Sequence, residues 1–242
     1  MSEPRPSLGG MDVILIPGFW LDANSWSEVT PALESAGHRL HAVTLPGLES
    51  VDAPRAGIGF DDHVDAVLRL VDGIDAPVVL VGHSGGGTVA QAVSDRRPDR
   101  VARVIYVDAA PMSDGDCIND RLPVVGDEVP LPEWDVFGEG MLADLDDAHR
   151  RRFRDRSIPQ PVAVASDPLR LTDERRRDVP TTIVTCEYPS SQLKEWVAQG
   201  APFVSELAAM RNVDYVDLPT GHWPQFTRPA ELGRAIADAI AR

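Results

Sequence analysis

The sequence predicts an α/β protein with a mostly parallel sheet, helices on both faces of that sheet, and a small helical cap. Short runs rich in valine and isoleucine alternate with longer amphipathic stretches, which is the pattern of βαβ units. The runs are also nearly continuous in apolar character, as strands are when a parallel sheet buries both of their faces. One long stretch lacks such runs, and this predicts the cap.

Apolar runs that end at a glycine, a proline or a polar turn are predicted as strands. They cover residues 12–16, 38–45, 78–81, 101–107, 181–185 and 213–218. In the intervals, apolar residues at helical spacing predict helices over 26–36, 60–72, 86–95 and 229–241. Gly37 follows the first of these helices and Pro229 begins the last, and both residues are typical of those positions.

The stretch between the fourth and fifth predicted strands has a different composition. Acidic residues crowd 114–147, arginines crowd 150–156, and prolines recur throughout. Because unstructured loops of this length are uncommon, we predict a cap of short helices over residues 112–179, at the carboxyl ends of the strands. The core then comprises 10–111 and 180–242, and residues 1–9 are predicted to be a flexible leader.

The composition restricts the possible partners. The 242 residues carry a formal net charge of -15, which disfavours nucleic acid and anionic membranes as partners. The two cysteines lack the spacing of a disulfide framework or a metal site. No run approaches the ~20 apolar residues of a membrane span, and no signal peptide is evident. We therefore expect a cytoplasmic protein that binds a small molecule, with no metal and an undetermined oligomeric state.

The segment Gly82-His83-Ser84-Gly85-Gly86 follows a predicted strand and precedes a predicted helix. This is the context in which G-x-S-x-G places a nucleophilic serine on a strained turn. The glycines on both sides provide the space that such a turn needs, and the helix N-terminus favours developing negative charge. The pattern lacks the lysine of a P-loop and the spacing of a dinucleotide cradle. Ser84 is therefore the candidate nucleophile.

A serine hydroxyl needs a general base, and His222 is the best-placed histidine. It follows the last predicted strand in Leu218-Pro219-Thr220-Gly221-His222-Trp223, in a loop at the carboxyl edge of the sheet. His83 lies within the elbow, and its side chain is expected to point away from that of Ser84. The remaining histidines are expected to be structural or solvated; they are His38, His41, His63 and His149.

Three features together resemble the α/β-hydrolase superfamily, in its branch with a serine nucleophile and a small cap. They are Pro17-Gly18-Phe19-Trp20 after the first strand, the Ser84 elbow, and Gly221-His222 near the end of the sequence. The resemblance covers nearly all of residues 11–241. It implies a hydrolase without a cofactor, with an oxyanion hole formed by the backbone N–H groups of Phe19 and Gly85. The family more often has His-Gly where this chain has Pro17-Gly18.

The family also implies an acidic residue that orients the histidine. Its commonest position is an aspartate after the strand 181–185, but the turn Cys186-Glu187-Tyr188-Pro189-Ser190 contains only a glutamate. Asp108 ends the preceding strand, where haloalkane dehalogenases and pancreatic lipase place their acid. We favour Asp108 and retain Glu187 as the alternative.

These residues predict hydrolysis of a small carboxylic ester or related acyl substrate by Ser84, His222 and Asp108 through an acyl-enzyme. Aromatic residues predicted to lie where the core meets the cap suggest an apolar pocket; they are Trp20, Trp134, Phe137 and Trp223. The fold hosts other functions, so alternatives remain open. They are a C–C bond hydrolase, a hydroxynitrile-lyase-like lyase, a cofactor-free perhydrolase and a non-catalytic ligand-binding receptor.

Overall fold

The computed structural model describes residues 10–242, and the predicted leader over 1–9 lies outside the described residues. Its strands follow the predicted order, with two short additions inside the cap segment. In chain order they are β1 (Asp12–Ile16), β2 (Arg39–Ala42), β3 (Val78–His83), β4 (Val101–Val107), β5 (Glu128–Val129), β6 (Gln160–Pro161), β7 (Thr181–Thr185) and β8 (Val213–Asp217).

The main sheet has six parallel strands in the order β2-β1-β3-β4-β7-β8. Its central strands β1, β3 and β7 are buried along their whole length, which explains their continuous apolar sequence. The edge strand β2 is shorter than the predicted run 38–45. Val43 and Leu45 follow the strand and pack into the core, so their apolar character reflects burial beyond the end of β2.

Helices cover both faces of the sheet. They are α1 (Thr30–Ser35), α2 (Phe60–Gly73), α3 (Gly85–Arg96), α4 (Asp147–Arg156), α5 (Val162–Ser166), α6 (Ser190–Ala198), α7 (Ser205–Ala209), α8 (Pro224–Thr227) and α9 (Pro229–Ile240). One core cluster joins α1 and α9 to the sheet, and the cluster on the opposite face joins α2, α3, α6 and α7 to it. No helix within residues 10–242 is long and apolar enough to cross a membrane.

The first predicted helix, over 26–36, is shorter in the structure. A 3-10 turn ends at Trp26, and α1 begins only at Thr30. Pro31 lies in the first turn of α1, where its missing N–H costs nothing; deeper inside a helix its ring would clash with a preceding carbonyl. The apolar spacing therefore continued across two separate elements.

The segment 112–179 contributes no strand to the main sheet among the described residues. It contains α4, α5 and a small antiparallel sheet in which Glu128 pairs with Pro161 and Val129 with Gln160. This sheet departs from the expected all-helical cap, because two-residue strands are too short to leave a periodic pattern. The segment packs on the loops that follow β1 and β8 through an apolar cluster that includes Val129, Leu145, Phe153, Val164, Trp20 and Trp223.

Candidate active site

Ser84 occupies the turn between β3 and α3 with a strained backbone, at φ 51° and ψ -125°. Two neighbouring glycines make this turn possible. A Cβ on Gly82 would lie 2.4 Å from the carbonyl oxygen of Gly86, and a Cβ on Gly86 would lie 2.5 Å from that of Pro17. Since backbone atoms cannot yield to such contacts, only glycine fits at both positions. The chain thus forms the strand-turn-helix geometry that presents a serine hydroxyl at the edge of a sheet.

His222 brings its imidazole between Ser84 and Asp108. Its Nε2 lies 2.8 Å from Ser84 Oγ, and its Nδ1 lies 2.7 Å from Asp108 Oδ2. The loop after β8 is held by the cap segment: the N–H of His222 donates to the carbonyl of Met141 at 2.8 Å, and that of Gly221 donates to Ala143. The side chains of His222 and Asp108 are 14% and 11% exposed, so their hydrogen bond is largely shielded from water.

Asp108 is fixed both by its backbone conformation and by hydrogen bonds to its side chain. Its backbone φ is 44°, which turns the chain sharply at the end of β4. Its Oδ1 accepts hydrogen bonds from the backbone N–H groups of Cys186 at 2.9 Å and Glu187 at 3.1 Å. Burial acts to raise the pKa of Asp108, but the hydrogen bonds from His222, Glu187 and Cys186 hold that pKa below its ordinary value. The carboxyl group is therefore held as the anion.

Glu187, the alternative acid, has no hydrogen bond to His222. Burial and the neighbouring charge of Asp108 raise the pKa of Glu187, and its side chain packs against Gly140 of the cap segment. Ligand atoms of Asp108, Glu187 and His222 lie within 4.8 Å of one another, so these three side chains are the described residues that could hold a metal ion. In this arrangement Asp108 and His222 are already hydrogen-bonded to each other.

The backbone N–H groups of Phe19 and Gly85 donate no hydrogen bond to another residue within 10–242. Gly85 is the first residue of α3, so its amide lies at the positive end of the helix dipole. The ring of Phe19 packs against Gly85: a Cβ there would lie 2.9 Å from Phe19 Cε1. The two amides predicted for the oxyanion hole are therefore free to bind a ligand oxygen.

A cavity of about 310 Å³ opens beside Ser84. Its apolar wall consists of Phe19, Trp20, Ile118, Leu122, Val136, Phe137 and Met141, and its polar lining includes Asn119 and Arg121. Ile118, Leu122 and Met141 were not predicted as pocket residues, because they lie in irregular parts of the cap segment without any periodic signal. A second cavity, of about 190 Å³, lies on the other side of His222 and is lined in part by Asp108, Glu187 and Trp196.

Of the aromatic residues predicted for the pocket, Trp20 and Phe137 line the cavity, but Trp134 and Trp223 do not. Trp223 is only 2% exposed and packs edge-to-face against Phe137, Phe153 and Trp134, with ring centroids 5.3, 5.2 and 6.3 Å away. The rings of Trp134 and Trp223 pack at the junction between core and cap, so a role for them in the substrate pocket stays a prediction.

Comparison with known proteins places the chain in a family. The sequence profile of the α/β hydrolase family matches residues 13–235, nearly the whole described chain. This protein is an α/β hydrolase. The family and fold predicted from the sequence are therefore confirmed, and so is the prediction of a hydrolytic enzyme.

Several characterised relatives of this α/β hydrolase are esterases or hydrolases by name. The carbendazim hydrolyzing esterase of a Nocardioides species is 30% identical over 73% of this chain and 71% of its own length. The pyrethroid hydrolase of Sphingobium wenxiniae is 24% identical over 94% of this chain and 86% of its own length. An acetyltransferase component of the acetoin cleaving system of Pseudomonas putida is 39% identical over 71% of this chain, but this match spans only 40% of that longer protein.

Solved structures share the fold of this α/β hydrolase. An extracellular α/β-hydrolase from a Paenibacillus species superimposes with a TM-score of 0.76 at 20% identity, covering 95% of this chain and 98% of that one. The pyrethroid hydrolase of Sphingobium faniae gives a TM-score of 0.68 at 22% identity, with 96% and 98% covered. At such identities the likeness concerns the fold alone.

Proposed function

We propose that this α/β hydrolase is a carboxylesterase that cleaves small apolar esters through an acyl-enzyme on Ser84. The observation that carries the proposal is the unbroken chain of hydrogen bonds from Ser84 Oγ through His222 to Asp108, at 2.8 and 2.7 Å. Characterised relatives named as esterases support the same chemistry. The proposal extends from the family to the bond that is cleaved and to the role of each residue.

Acylation begins when His222 Nε2 accepts the hydroxyl proton of Ser84 and Oγ attacks the ester carbonyl carbon. The carbonyl oxygen becomes an oxyanion that accepts hydrogen bonds from the N–H groups of Phe19 and Gly85. His222 then donates its proton to the alkoxy oxygen of the ester, the bond between this oxygen and the acyl carbon breaks, and the alcohol departs. The acyl group remains on Ser84 as an ester.

Deacylation repeats these steps with water in place of serine. His222 accepts a proton from water, the hydroxide attacks the acyl carbon, and the proton returns to Ser84 as the carboxylic acid leaves. Asp108 accepts the Nδ1–H of His222 throughout. This bond keeps Nε2 free to accept a proton and stabilises the imidazolium that forms in each half-reaction.

The substrate class follows from the cavity beside Ser84. A volume of about 310 Å³ with a mainly aliphatic and aromatic wall suits a compact apolar ester. Asn119 and Arg121 give this lining a polar portion that can receive a hydrogen-bond acceptor on the substrate. Arg121 forms no ion pair with any residue that the structure describes.

A second candidate reaction shares the acyl-enzyme. A non-heme chloroperoxidase of Streptomyces lividans is 34% identical over 56% of this chain. If hydrogen peroxide replaced water in deacylation, the product would be a peracid instead of a carboxylic acid. Assays with and without peroxide separate the two reactions, and an ester-cleaving rate that does not need peroxide favours the esterase.

The test compares the wild-type enzyme with S84A on p-nitrophenyl acetate and butyrate. The matched control is S94A, since Ser94 is also a buried serine of α3 and its hydroxyl has no partner among the described residues. We expect ester hydrolysis by wild type and S94A, and a loss of several orders of magnitude in S84A. Wild-type activity in S84A, or no hydrolysis of any ester in the series by wild type, would overturn the proposal.

A further inference from the structure

His83 precedes the nucleophile but faces the opposite side of the turn. Its side chain is fully buried, and its Nε2 lies 2.7 Å from the backbone carbonyl oxygen of His222, 139 residues further along the chain. This contact reaches the main chain of the residue whose side chain bonds Ser84. The His83 side chain points away from Ser84, as expected for this position in the elbow, but its partner was not predicted from the sequence.

The partner fixes the protonation of the His83 ring. A carbonyl oxygen only accepts hydrogen bonds, so Nε2 carries the proton and Nδ1 is bare. Nδ1 has no hydrogen-bond partner within the described chain. It faces Gly18, where a Cβ would lie 2.6 Å from Nδ1, so the ring fills a space that only glycine leaves open.

Burial keeps this ring neutral. Burial, and after it the nearby charge of His222, lowers the pKa of His83 to about 3, although the hydrogen bond to the His222 carbonyl and the charge of Asp108 oppose these effects. The two imidazoles are close, with centroids 5.1 Å apart. A second cation here would repel the imidazolium that His222 becomes during catalysis, and a neutral His83 avoids this repulsion.

The main chain of His222 is thus held on both sides. Its N–H donates to the carbonyl of Met141 in the cap segment, and its carbonyl accepts from His83 in the elbow. His83 also packs on Gly18, next to the amide of Phe19. One buried side chain therefore contacts the elbow, the loop of the proposed oxyanion hole and the loop of the proposed base. Displacements near 1 Å at such sites can cost about 10²-fold in rate.

We propose that His83 is a positioning residue, which sets the imidazole of His222 against Ser84 and Asp108 by donating its Nε2–H to the His222 carbonyl. The proposal rests on the function proposed above and adds a residue that touches neither substrate nor reacting atoms. It explains why the elbow carries an aromatic donor in a fully buried position.

Two neutral amide variants test this role. In H83Q the side-chain N–H can reach the place of Nε2, whereas in H83N it reaches only the place of Nδ1. We expect H83Q to retain kcat within about threefold of wild type, and H83N to lose about 10- to 100-fold in kcat with KM changed less than threefold. A kcat in H83N equal to that in H83Q, with both proteins folded, would overturn the proposal.

A spectroscopic measurement on the wild-type enzyme tests the proposal even if H83Q or H83N does not fold. In ¹⁵N NMR of histidine-labelled protein, we expect His83 to stay neutral with its proton on Nε2 from pH 5 to 8. His83 carrying its proton on Nδ1, or titrating in this range, would contradict the proposal, because Nε2 could not serve as the constant donor. The downfield proton signal of His222 Nδ1–H should persist in H83Q and be lost or broadened in H83N.

The outcomes separate this inference from the proposed function. If the wild-type enzyme hydrolyses esters and S84A does not, but H83N equals wild type, only the role of His83 fails. If the wild-type enzyme hydrolyses no ester, the proposed function fails, while NMR still decides how His83 is protonated and, through the His222 Nδ1–H signal of H83Q and H83N, whether His83 positions His222.

Discussion

Oδ2 of Asp108 lies 2.7 Å from Nδ1 of His222, although 114 residues separate them in the chain. Asp108 directly follows β4, and the turn that carries Glu187 follows β7, the neighbour of β4 in the main sheet. That turn contributes to the pair through its backbone: the N–H groups of Cys186 and Glu187 hold the other carboxylate oxygen of Asp108. The carboxyl group thus comes from one strand end and its support from the next.

Because the side chain of Asp108 but only the backbone of Glu187 takes part in this arrangement, we expect very different losses of activity from two similar substitutions. Asp108→Asn keeps the shape of the side chain but loses the charge and the acceptor for Nδ1–H, so kcat should fall by about two to four orders of magnitude. Glu187→Gln, the matched control, should cost less than tenfold because the Glu187 N–H remains in place. Steady-state kinetics on one ester decide between them, and the reverse ranking would assign the acid to Glu187.

Gly85 provides a test of the proposed oxyanion hole. Gly85→Ala places a methyl group 2.9 Å from the ring of Phe19, so this ring must shift between the two amides proposed for the oxyanion hole. We expect kcat to fall by about 10- to 100-fold, toward the loss seen when one oxyanion donor is removed. Gly138→Ala, with nothing within 4 Å of its added Cβ, should leave kcat unchanged. Equal kinetics of the two variants would argue against the assigned amides.

Leu122 tests whether the cavity beside Ser84 receives the substrate. Leu122→Trp should fill part of this cavity. In a series of esters with acyl and alcohol groups of increasing size, kcat/KM should therefore fall about tenfold or more for the larger members and change little for methyl acetate. Val124→Trp is the control, because Val124 is exposed and lies outside the lining. A uniform change across ester sizes, or the same pattern in both variants, would place substrate elsewhere.

The buried side chain of His63 should make the stability of the protein depend on pH. It is buried and donates Nε2–H to the carbonyl of Pro46 at 2.9 Å, and burial lowers the pKa of His63 to about 4. Below pH ~6.5 the unfolded chain binds a proton that the folded chain excludes, so the free energy of unfolding falls on acidification, by up to about 1.4 kcal/mol per pH unit.

The variant H63Q keeps a donor but cannot take up this proton. The decrease in Tm between pH 7 and pH 5 should therefore be smaller in H63Q than in wild type. It should not vanish, because His83 is also buried with a lowered pKa. Glu187, whose raised pKa acts in the opposite direction, is common to both proteins. Equal pH dependence of Tm in the two proteins would contradict this account of His63.

Local sequence patterns account for the parts of the fold that were predicted well. The bounds of β1, β4 and β7 coincide with the predicted runs, because each run is apolar and mostly or wholly buried, and each is followed by a turn. The elbow around Ser84 was also predictable, since its strand, turn, glycines and helix are adjacent in the chain. The short strands β5 and β6 were missed because pairing across 30 residues defines them, with no pattern of their own.

Some residues of the site could be predicted from local sequence patterns, and others depend on tertiary contacts. Ser84, His222 and Asp108 each follow a recognisable strand, so the topology that brings strand ends together also brings these side chains together. Ile118 and Met141 enter the cavity through the particular path of irregular cap segments, which no periodicity describes. The bond from His83 to the His222 carbonyl is likewise a tertiary contact, although both residues belong to visible motifs.

The central claim is that Ser84 is the nucleophile of an esterase, and covalent labelling tests it most directly. The enzyme is incubated with a fluorophosphonate while residual ester hydrolysis and the mass of the protein are followed in parallel. We predict that activity disappears as one phosphonyl group per chain appears on the peptide containing Ser84. Activity that survives complete modification of Ser84, or inactivation by a phosphonyl group on a different residue, would contradict the account.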